Sequence, residues 1–226
     1  MKRVFSHRSA MLRSVLALLV LCAAPLASMA AAPIDDTSPQ KLIETSSKEL
    51  FTDLDANRAR YRSDLPALYN MVREKFLPYV DVDYAAQQVL GKNWRTATPE
   101  QRKRFIDSFT RSLLYTYGDA LVDFTGDRMK VLPFQGDAAA PRASVRTEIR
   151  RSNGATVAVA YSLRKNAAGA WRVWDVVIEG ISYVKSFREQ FELEIDQKGL
   201  DAVLQRLESG LKPDGKPPVN GPAPAK

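Results

Sequence analysis

The chain has 226 residues, of which 45% are hydrophobic and 26% charged, and its formal net charge is +7 at pH 7. This length is enough for one domain with a substantial hydrophobic core. Its only histidine, His7, and its only cysteine, Cys22, both lie within the first 30 residues. The remainder of the chain therefore has no disulfide, no thiolate nucleophile, none of the usual zinc or haem ligands and no Ser-His-Asp machinery.

The first 30 residues have the pattern of an export signal. Four basic residues precede or border an apolar run over 15–24, and Ser28-Met29-Ala30 offers a small-residue cleavage site. We expect cleavage after Ala30, or alternatively after Ala32, and export of the product from the cytoplasm. The apolar run is much shorter than the roughly 20 residues that span a bilayer.

Removal of this signal changes the charge balance. The signal contains four of the 33 Lys and Arg residues and none of the 26 Asp and Glu residues, so residues 31–226 have a net charge of about +3. A small positive excess suits work near an anionic membrane surface but is too weak for a nucleic-acid-binding surface. The Pro- and Gly-rich segment 212–226 lacks large apolar residues, which predicts a disordered tail after a domain over residues 31–211.

Helix signals dominate the first part of this domain. Ser38-Pro39 has N-cap and N1 chemistry and opens a first helix, and a second helix begins near Asp64. A third is predicted over 83–90, with Gly91 as its C-terminal cap. The clearest start signal is the capping box Thr98-Pro99-Glu100-Gln101. A long helix with a wide apolar stripe is predicted to follow it for about five turns.

The pattern then changes to strands. Period-two alternation predicts four strands, and short turns between the last three favour antiparallel hairpins. The predicted strands span 129–134, 143–150, 156–164 and 171–178, and two further helices span 183–198 and 200–207. Helices, then an antiparallel meander, then helices indicate an α+β fold in a single domain.

The third predicted strand has two unlike faces. One face reads Val157, Val159, Tyr161 and Leu163, and the other reads Thr156, Ala158, Ala160 and Ser162. Small side chains leave space, so helices that cover the second face without filling it would create a cavity. Close packing of a helix on the small-residue face is an equally good interpretation of this strand alone.

Two features could carry chemistry, but each has a simpler interpretation. Ser182-Tyr183-Val184-Lys185 has the S-x-x-K spacing of serine acyltransferases, yet the companion motifs Ser-Asp-Asn and Lys-Thr-Gly do not occur in the sequence. We therefore interpret Ser182 as the cap of the following helix. Asp175 lies in a strand that is apolar apart from Asp175 itself and Arg172, and a structural salt bridge is favoured there over catalysis. Gly-rich nucleotide-binding motifs do not occur in the sequence either.

Two blocks of the sequence form a specific pattern. The first runs from Val82-Asp83-Tyr84 through Val89-Leu90-Gly91-Lys92-Asn93-Trp94 and the capping box to 105–117. The second runs from Tyr161-Ser162-Leu163 through Trp171-Arg172-Val173-Trp174-Asp175-Val176 to Glu179-Gly180-Ile181-Ser182. In their order and spacing these blocks resemble the toluene-tolerance/Mla family of periplasmic phospholipid-binding proteins, and the likeness covers about residues 38–208.

The resemblance implies a twisted antiparallel sheet of four to five strands, packed with helices around a deep apolar pocket. That pocket would hold the acyl chains of a phospholipid as cargo, with no cofactor, no metal and no catalysed reaction. The implied partners are an inner-membrane ABC transporter complex with an MCE-domain subunit and an outer-membrane lipoprotein–porin complex. The implied role is to shuttle lipid between the two membranes and so maintain outer-membrane lipid asymmetry. We expect a monomer that binds no nucleic acid.

For the lipid-binding pocket we predict apolar and aromatic side chains from both layers. These are Val82, Phe105, Phe109, Leu113 and Tyr117 from the helices, and Val159, Tyr161, Val173 and Trp174 from the sheet. Two other functions remain open at this point. One is a small-molecule enzyme that uses Asp175 and Tyr161 in a cone-shaped α+β pocket. The other is a periplasmic chaperone or adaptor that binds unfolded chains in an exposed groove.

Overall fold

A computed structural model describes residues 34–122, 129–137, 139–150 and 154–210. Within these ranges the chain forms seven α-helices and a five-stranded antiparallel sheet. In chain order they are α1 (Pro39–Ser63), α2 (Leu65–Lys75), α3 (Val82–Leu90), α4 (Lys92–Thr96), α5 (Pro99–Val122), β1 (Met129–Val131), β2 (Arg142–Arg150), β3 (Thr156–Lys165), β4 (Trp171–Ile178), β5 (Ile181–Ser182), α6 (Tyr183–Lys198) and α7 (Leu200–Glu208). The predicted signal segment and the predicted tail from Lys212 lie outside the described residues.

The helices begin where the local sequence places their caps. The hydroxyl of Ser38 accepts a hydrogen bond from the backbone N–H of Lys41, and Asp64 caps α2 in the same way. The capping box is confirmed, because Thr98 and Gln101 bond each other's backbone N–H at 3.1 and 3.0 Å. Gly91 ends α3 with a φ of +54°, which favours glycine. A short 3-10 turn (Leu77–Tyr79) and α4 are additional to the predicted elements.

The five strands pair in sequence order as an antiparallel meander, which confirms the predicted α+β arrangement. The first strand is shorter than predicted and ends at Val131. The ladder between β3 and β4 contains a β-bulge, since Ser162 pairs with Asp175 while Leu163 pairs with Val173. Trp174 is therefore the extra residue in β4. A bulge bends its strand and re-aims the side chains on either side of it.

The helices cover the opposite face of β3 from the one that the small residues suggested. Val157, Val159 and Leu163 are buried, whereas Thr156 and Ala158 face solvent. The hypothesis that the small side chains create the cavity is therefore wrong. Burial of the branched side chains removes more apolar surface from water, so this face gains more from contact with the helices.

The buried side chains fall into three clusters. The first, the helical cluster, joins α3, α5, α6 and α7 around Phe105 and Phe191. The second, the sheet cluster, joins the start of α1 to the sheet around Trp171. The third, the α1–α2 cluster, packs those two helices against the end of α5 around Leu54. None of the helices in the described part of the chain is long and apolar enough to cross a membrane.

Candidate functional site

A cavity of about 550 Å³ borders all three clusters. Its lining comes from α1 (Ser47, Leu50, Phe51), α2 (Leu68, Tyr69, Val72), α5 (Phe109, Leu113, Leu114, Tyr117, Gly118, Leu121), the sheet (Met129, Ile149, Val159, Tyr161, Val173, Trp174, Asp175, Val176, Ile178), α6 (Tyr183, Val184, Phe187), and Val80 and Ala85. Most of these side chains are aliphatic or aromatic. Such a lining suits long hydrocarbon chains and offers little to a charged ligand.

Seven of the nine residues predicted for the pocket line this cavity. They are Phe109, Leu113, Tyr117, Val159, Tyr161, Val173 and Trp174. The other two lie elsewhere. Phe105 is fully buried in the helical cluster, where its ring packs 5.2 Å from that of Phe191, and half-buried Val82 begins α3 outside the lining.

The β-bulge explains how two adjacent residues of β4 can both line the cavity. In a regular strand Val173 and Trp174 would point to opposite faces of the sheet. Because Trp174 is the extra residue, the alternation is broken at this point, and both side chains reach the cavity. The ring of Trp174 also packs edge-on against Tyr84 of α3, with 5.4 Å between the ring centroids.

The sequence reasoning missed the contributions of three helices. Leu50 on α1, Leu68 on α2 and Phe187 on α6 were not among the residues predicted for the pocket, yet all three line the cavity. The ring of Phe187 packs edge-on against Phe109, with 5.2 Å between the centroids. Helical periodicity indicates that a face is buried, but it carries no signal for burial against a cavity rather than against a filled core.

Asp175 acts as a helix cap and forms no salt bridge with a described residue, which corrects the sequence-based interpretation. Its carboxylate accepts a hydrogen bond from the hydroxyl of Ser182 at 2.7 Å and one from the backbone N–H of Val184 at 3.0 Å. Ser182 in turn accepts from the backbone N–H of Lys185 at 3.1 Å, so its predicted role as N-cap is confirmed. A carboxylate is stabilised there by the positive end of the helix dipole.

The remaining polar groups of the lining are mostly tyrosines. Burial raises the pKa of Tyr161, against the opposing effect of its hydrogen bond with Thr147. Burial, together with the neighbouring Tyr183, raises the pKa of Tyr117 to about 12. These phenols therefore stay neutral at physiological pH. No lining residue has a positively charged side chain, and no group of His, Cys, Asp and Glu among the described residues could hold a metal ion.

Comparisons with known proteins agree with this geometry. The family model of the MlaC protein matches residues 44–209. A toluene tolerance protein, ttg2D, from Pseudomonas putida is 35% identical over 185 residues, which are 81% of this chain and 83% of the relative. The binding protein MlaC of an intermembrane phospholipid transport system in Haemophilus influenzae is 27% identical over 177 residues, which are 77% of this chain and 83% of that protein.

A solved structure has the same fold. The phospholipid-binding protein from Ralstonia solanacearum, determined in complex with a phospholipid, superposes with a TM-score of 0.68 at 25% sequence identity. The match covers 79% of this chain and 96% of that one. The family model spans most of the described chain, and a relative above 30% identity matches over a similar range. This chain therefore belongs to the MlaC protein family.

Proposed function

We propose that this chain is a periplasmic phospholipid carrier that holds the acyl chains of its cargo in the apolar cavity. The observation that carries the proposal is the cavity itself, which is lined almost entirely by aliphatic and aromatic side chains. Its relatives support the same function, since one is named as a binding protein of a phospholipid transport system and another was solved with a phospholipid.

The energetics of lipid transfer explain why a carrier needs such a cavity. Two acyl chains contain roughly 30 methylenes, and exposure of each to water costs about 0.8 kcal/mol, so an unprotected crossing costs on the order of 25 kcal/mol. Transfer from a bilayer into an apolar cavity exchanges one dry environment for another. The net free energy can then stay small, and the cargo can be released to the next membrane without a chemical step.

The proposed lipid contacts are the side chains that line the cavity. They include the seven predicted residues named above, together with residues of α1, α2 and α6 such as Phe51, Val72 and Phe187. We propose that this chain catalyses no reaction and binds phospholipid as cargo without a cofactor. An enzyme would need the Asp175 carboxylate to be free, but this carboxylate accepts two hydrogen bonds at the start of α6.

Membership of the MlaC family supports the proposed cellular setting. We propose export by a signal peptide over residues 1–30, a phospholipid-binding domain over 31–211 and a tail over 212–226. The proposed carrier is a monomer that binds no nucleic acid and shuttles between two membrane complexes. One is an inner-membrane ABC transporter with an MCE-domain subunit, and the other is an outer-membrane lipoprotein–porin complex. The outcome of this transport is the maintenance of outer-membrane lipid asymmetry.

Native mass spectrometry tests the proposal directly. The mature protein is purified from the periplasm without detergent, its mass is measured, and any bound molecule is extracted and identified. We expect phospholipid near one per chain. An empty protein that also takes up no phospholipid from vesicles would refute the carrier function, and bound unfolded peptide in place of lipid would favour the chaperone.

Two matched substitutions locate the cargo in the cavity. Leu113→Glu places a carboxylate in the apolar lining, where an unpaired charge is strongly disfavoured. We expect this variant to lose most of its lipid. Leu193→Glu makes the same change on α6 at a side chain that is 64% exposed, and we expect it to keep its lipid. Equal lipid content in both variants would place the cargo elsewhere.

A further inference from the structure

Four tyrosines line the cavity, and two of them, Tyr117 and Tyr183, pack against each other. Tyr117 lies on α5 and Tyr183 is the first residue of α6, and both line the cavity. Their rings meet edge-on with 6.1 Å between centroids. The pair therefore adds two hydrogen-bond donors to the largely apolar lining.

Neither hydroxyl has a hydrogen-bond partner among the described residues, whereas Ser47 and Asp175 of the lining do. The hydroxyl of Ser47 donates to the carbonyl of Ile43, and Asp175 accepts two hydrogen bonds at the start of α6. A ligand that fills the cavity would displace water from these partly exposed hydroxyls, and the loss of those contacts is unfavourable unless the ligand supplies an acceptor. The two phenols are thus available to a ligand that brings an acceptor.

The tyrosine pair is accessible to solvent. Tyr117 and Tyr183 are both only partly buried. Tyr115 on the same helix as Tyr117 is 47% exposed and lies outside the lining. A lipid with its tails in the cavity and its polar end beside this pair would meet both hydroxyls.

The chemistry of the lining selects which polar group of a lipid the pair would meet. A phosphate carries a full negative charge, and its burial would call for a cation, yet no lining residue is positively charged. The ester carbonyls that join the tails to glycerol are neutral acceptors and are the first polar atoms above the tails. Burial raises the pKa of Tyr117 to about 12, so its phenol remains a donor at physiological pH.

We propose that Tyr117 and Tyr183 donate hydrogen bonds to the ester carbonyls of the bound lipid, and that this pair selects ester-linked over ether-linked lipids. The selection extends the proposed carrier function and rests on it. The two hydrogen bonds also fix how deeply the tails enter, because the carbonyls stop at the tyrosine pair.

A competition experiment with two matched lipids tests this selection. Delipidated full-length mature protein is loaded with a fluorescent phospholipid, which is then displaced by dipalmitoyl phosphatidylglycerol or by its dihexadecyl ether analogue. The two competitors differ chiefly in the ester carbonyls. We expect the native protein to prefer the ester lipid about five- to tenfold, which corresponds to about 1–1.4 kcal/mol and to two hydrogen bonds at the low end of their usual net contribution. In the double variant Tyr117→Phe/Tyr183→Phe we expect a ratio near one.

The controls separate the possible outcomes. Tyr115→Phe removes an exposed hydroxyl outside the lining, and we expect it to keep the preference of the native protein. Equal affinity of the native protein for both lipids would overturn the selection but leave the carrier function standing. The selection would also be overturned if the double variant kept the preference for the ester lipid, or if its affinity for both lipids fell by the same factor. Failure of the native protein to bind either lipid would instead refute the carrier function itself.

Discussion

The role of Asp175 as a cap of α6 predicts a measurable loss of stability in the Asp175→Asn variant. The carboxylate is only 5% exposed and accepts two hydrogen bonds, from the Ser182 hydroxyl and the Val184 N–H. Asparagine keeps one carbonyl oxygen but removes the charge and places an NH₂ group beside a second donor. The variant therefore loses one charge-assisted hydrogen bond and the interaction of the charge with the helix dipole.

The expected magnitude follows from these two contributions. A hydrogen bond to a charged group contributes about 1.5–3 kcal/mol, and a partly buried charge at a helix end contributes up to about 2 kcal/mol. Because the two effects overlap, we expect a loss of about 2 kcal/mol in the free energy of unfolding. For a domain of this size that loss lowers the Tm by about 4–8 °C.

Thermal unfolding of delipidated protein, followed by circular dichroism, measures this change without the added stabilisation that bound lipid provides. Asp196→Asn is the matched control, because Asp196 lies on the same helix with an exposed side chain. We expect the control to stay within about 1 °C of the native protein. We also expect the losses from Asp175→Asn and Ser182→Ala to be less than additive, since the two side chains share one hydrogen bond. An unchanged Tm in Asp175→Asn would refute the capping role.

Three further predictions concern other parts of the fold. Glu194 is 9% exposed and accepts two hydrogen bonds of 2.7 Å from Arg206. Glu194→Gln should therefore lower the free energy of unfolding, measured by urea denaturation, by about 2–3 kcal/mol. A loss below about 0.5 kcal/mol would contradict this prediction. Thr98→Ala should remove about 1 kcal/mol by deleting the cap of α5, and an unchanged urea midpoint would show that the cap is redundant. The pKa of Tyr117 is raised from 10.0 to about 12, so its contribution to stability should be complete below pH 10.0 and lost as the pH rises through about 12. A pH titration followed by phenolate absorbance should show one fewer tyrosine with a raised pKa in Tyr117→Phe than in the native protein. An unchanged titration curve would refute the raised pKa of Tyr117.

Helix ends were predictable because they depend on residues within one turn. The capping box at Thr98, the cap at Ser182 and the glycine after α3 all involve donors and acceptors no more than four residues apart. Strand positions followed from alternation for the same reason, since neighbouring side chains set the period. The shortened β1 and the added α4 are adjustments at element boundaries, where local preferences are weak.

The location of the cavity depended on contacts between distant parts of the chain. Leu50 on α1 and Phe187 on α6 line one surface although 137 positions separate them, and neither local pattern indicates the other. The prediction of a cavity beside the small side chains of β3 was wrong because it considered the side-chain volumes of one strand alone. Whether space stays empty depends on the volumes of all the elements that surround it.

The sequence by itself determined the absence of cysteine and histidine chemistry after residue 30, the positions of most helices and strands, and the likeness to a lipid-binding family. The tertiary structure decided which faces border the cavity, how the bulge at Trp174 brings two adjacent residues into its lining, and which partners Asp175 has. The physical reason is range. Capping and alternation act over a few residues, whereas strand register and cavity shape arise only when side chains distant in sequence compete for the same volume.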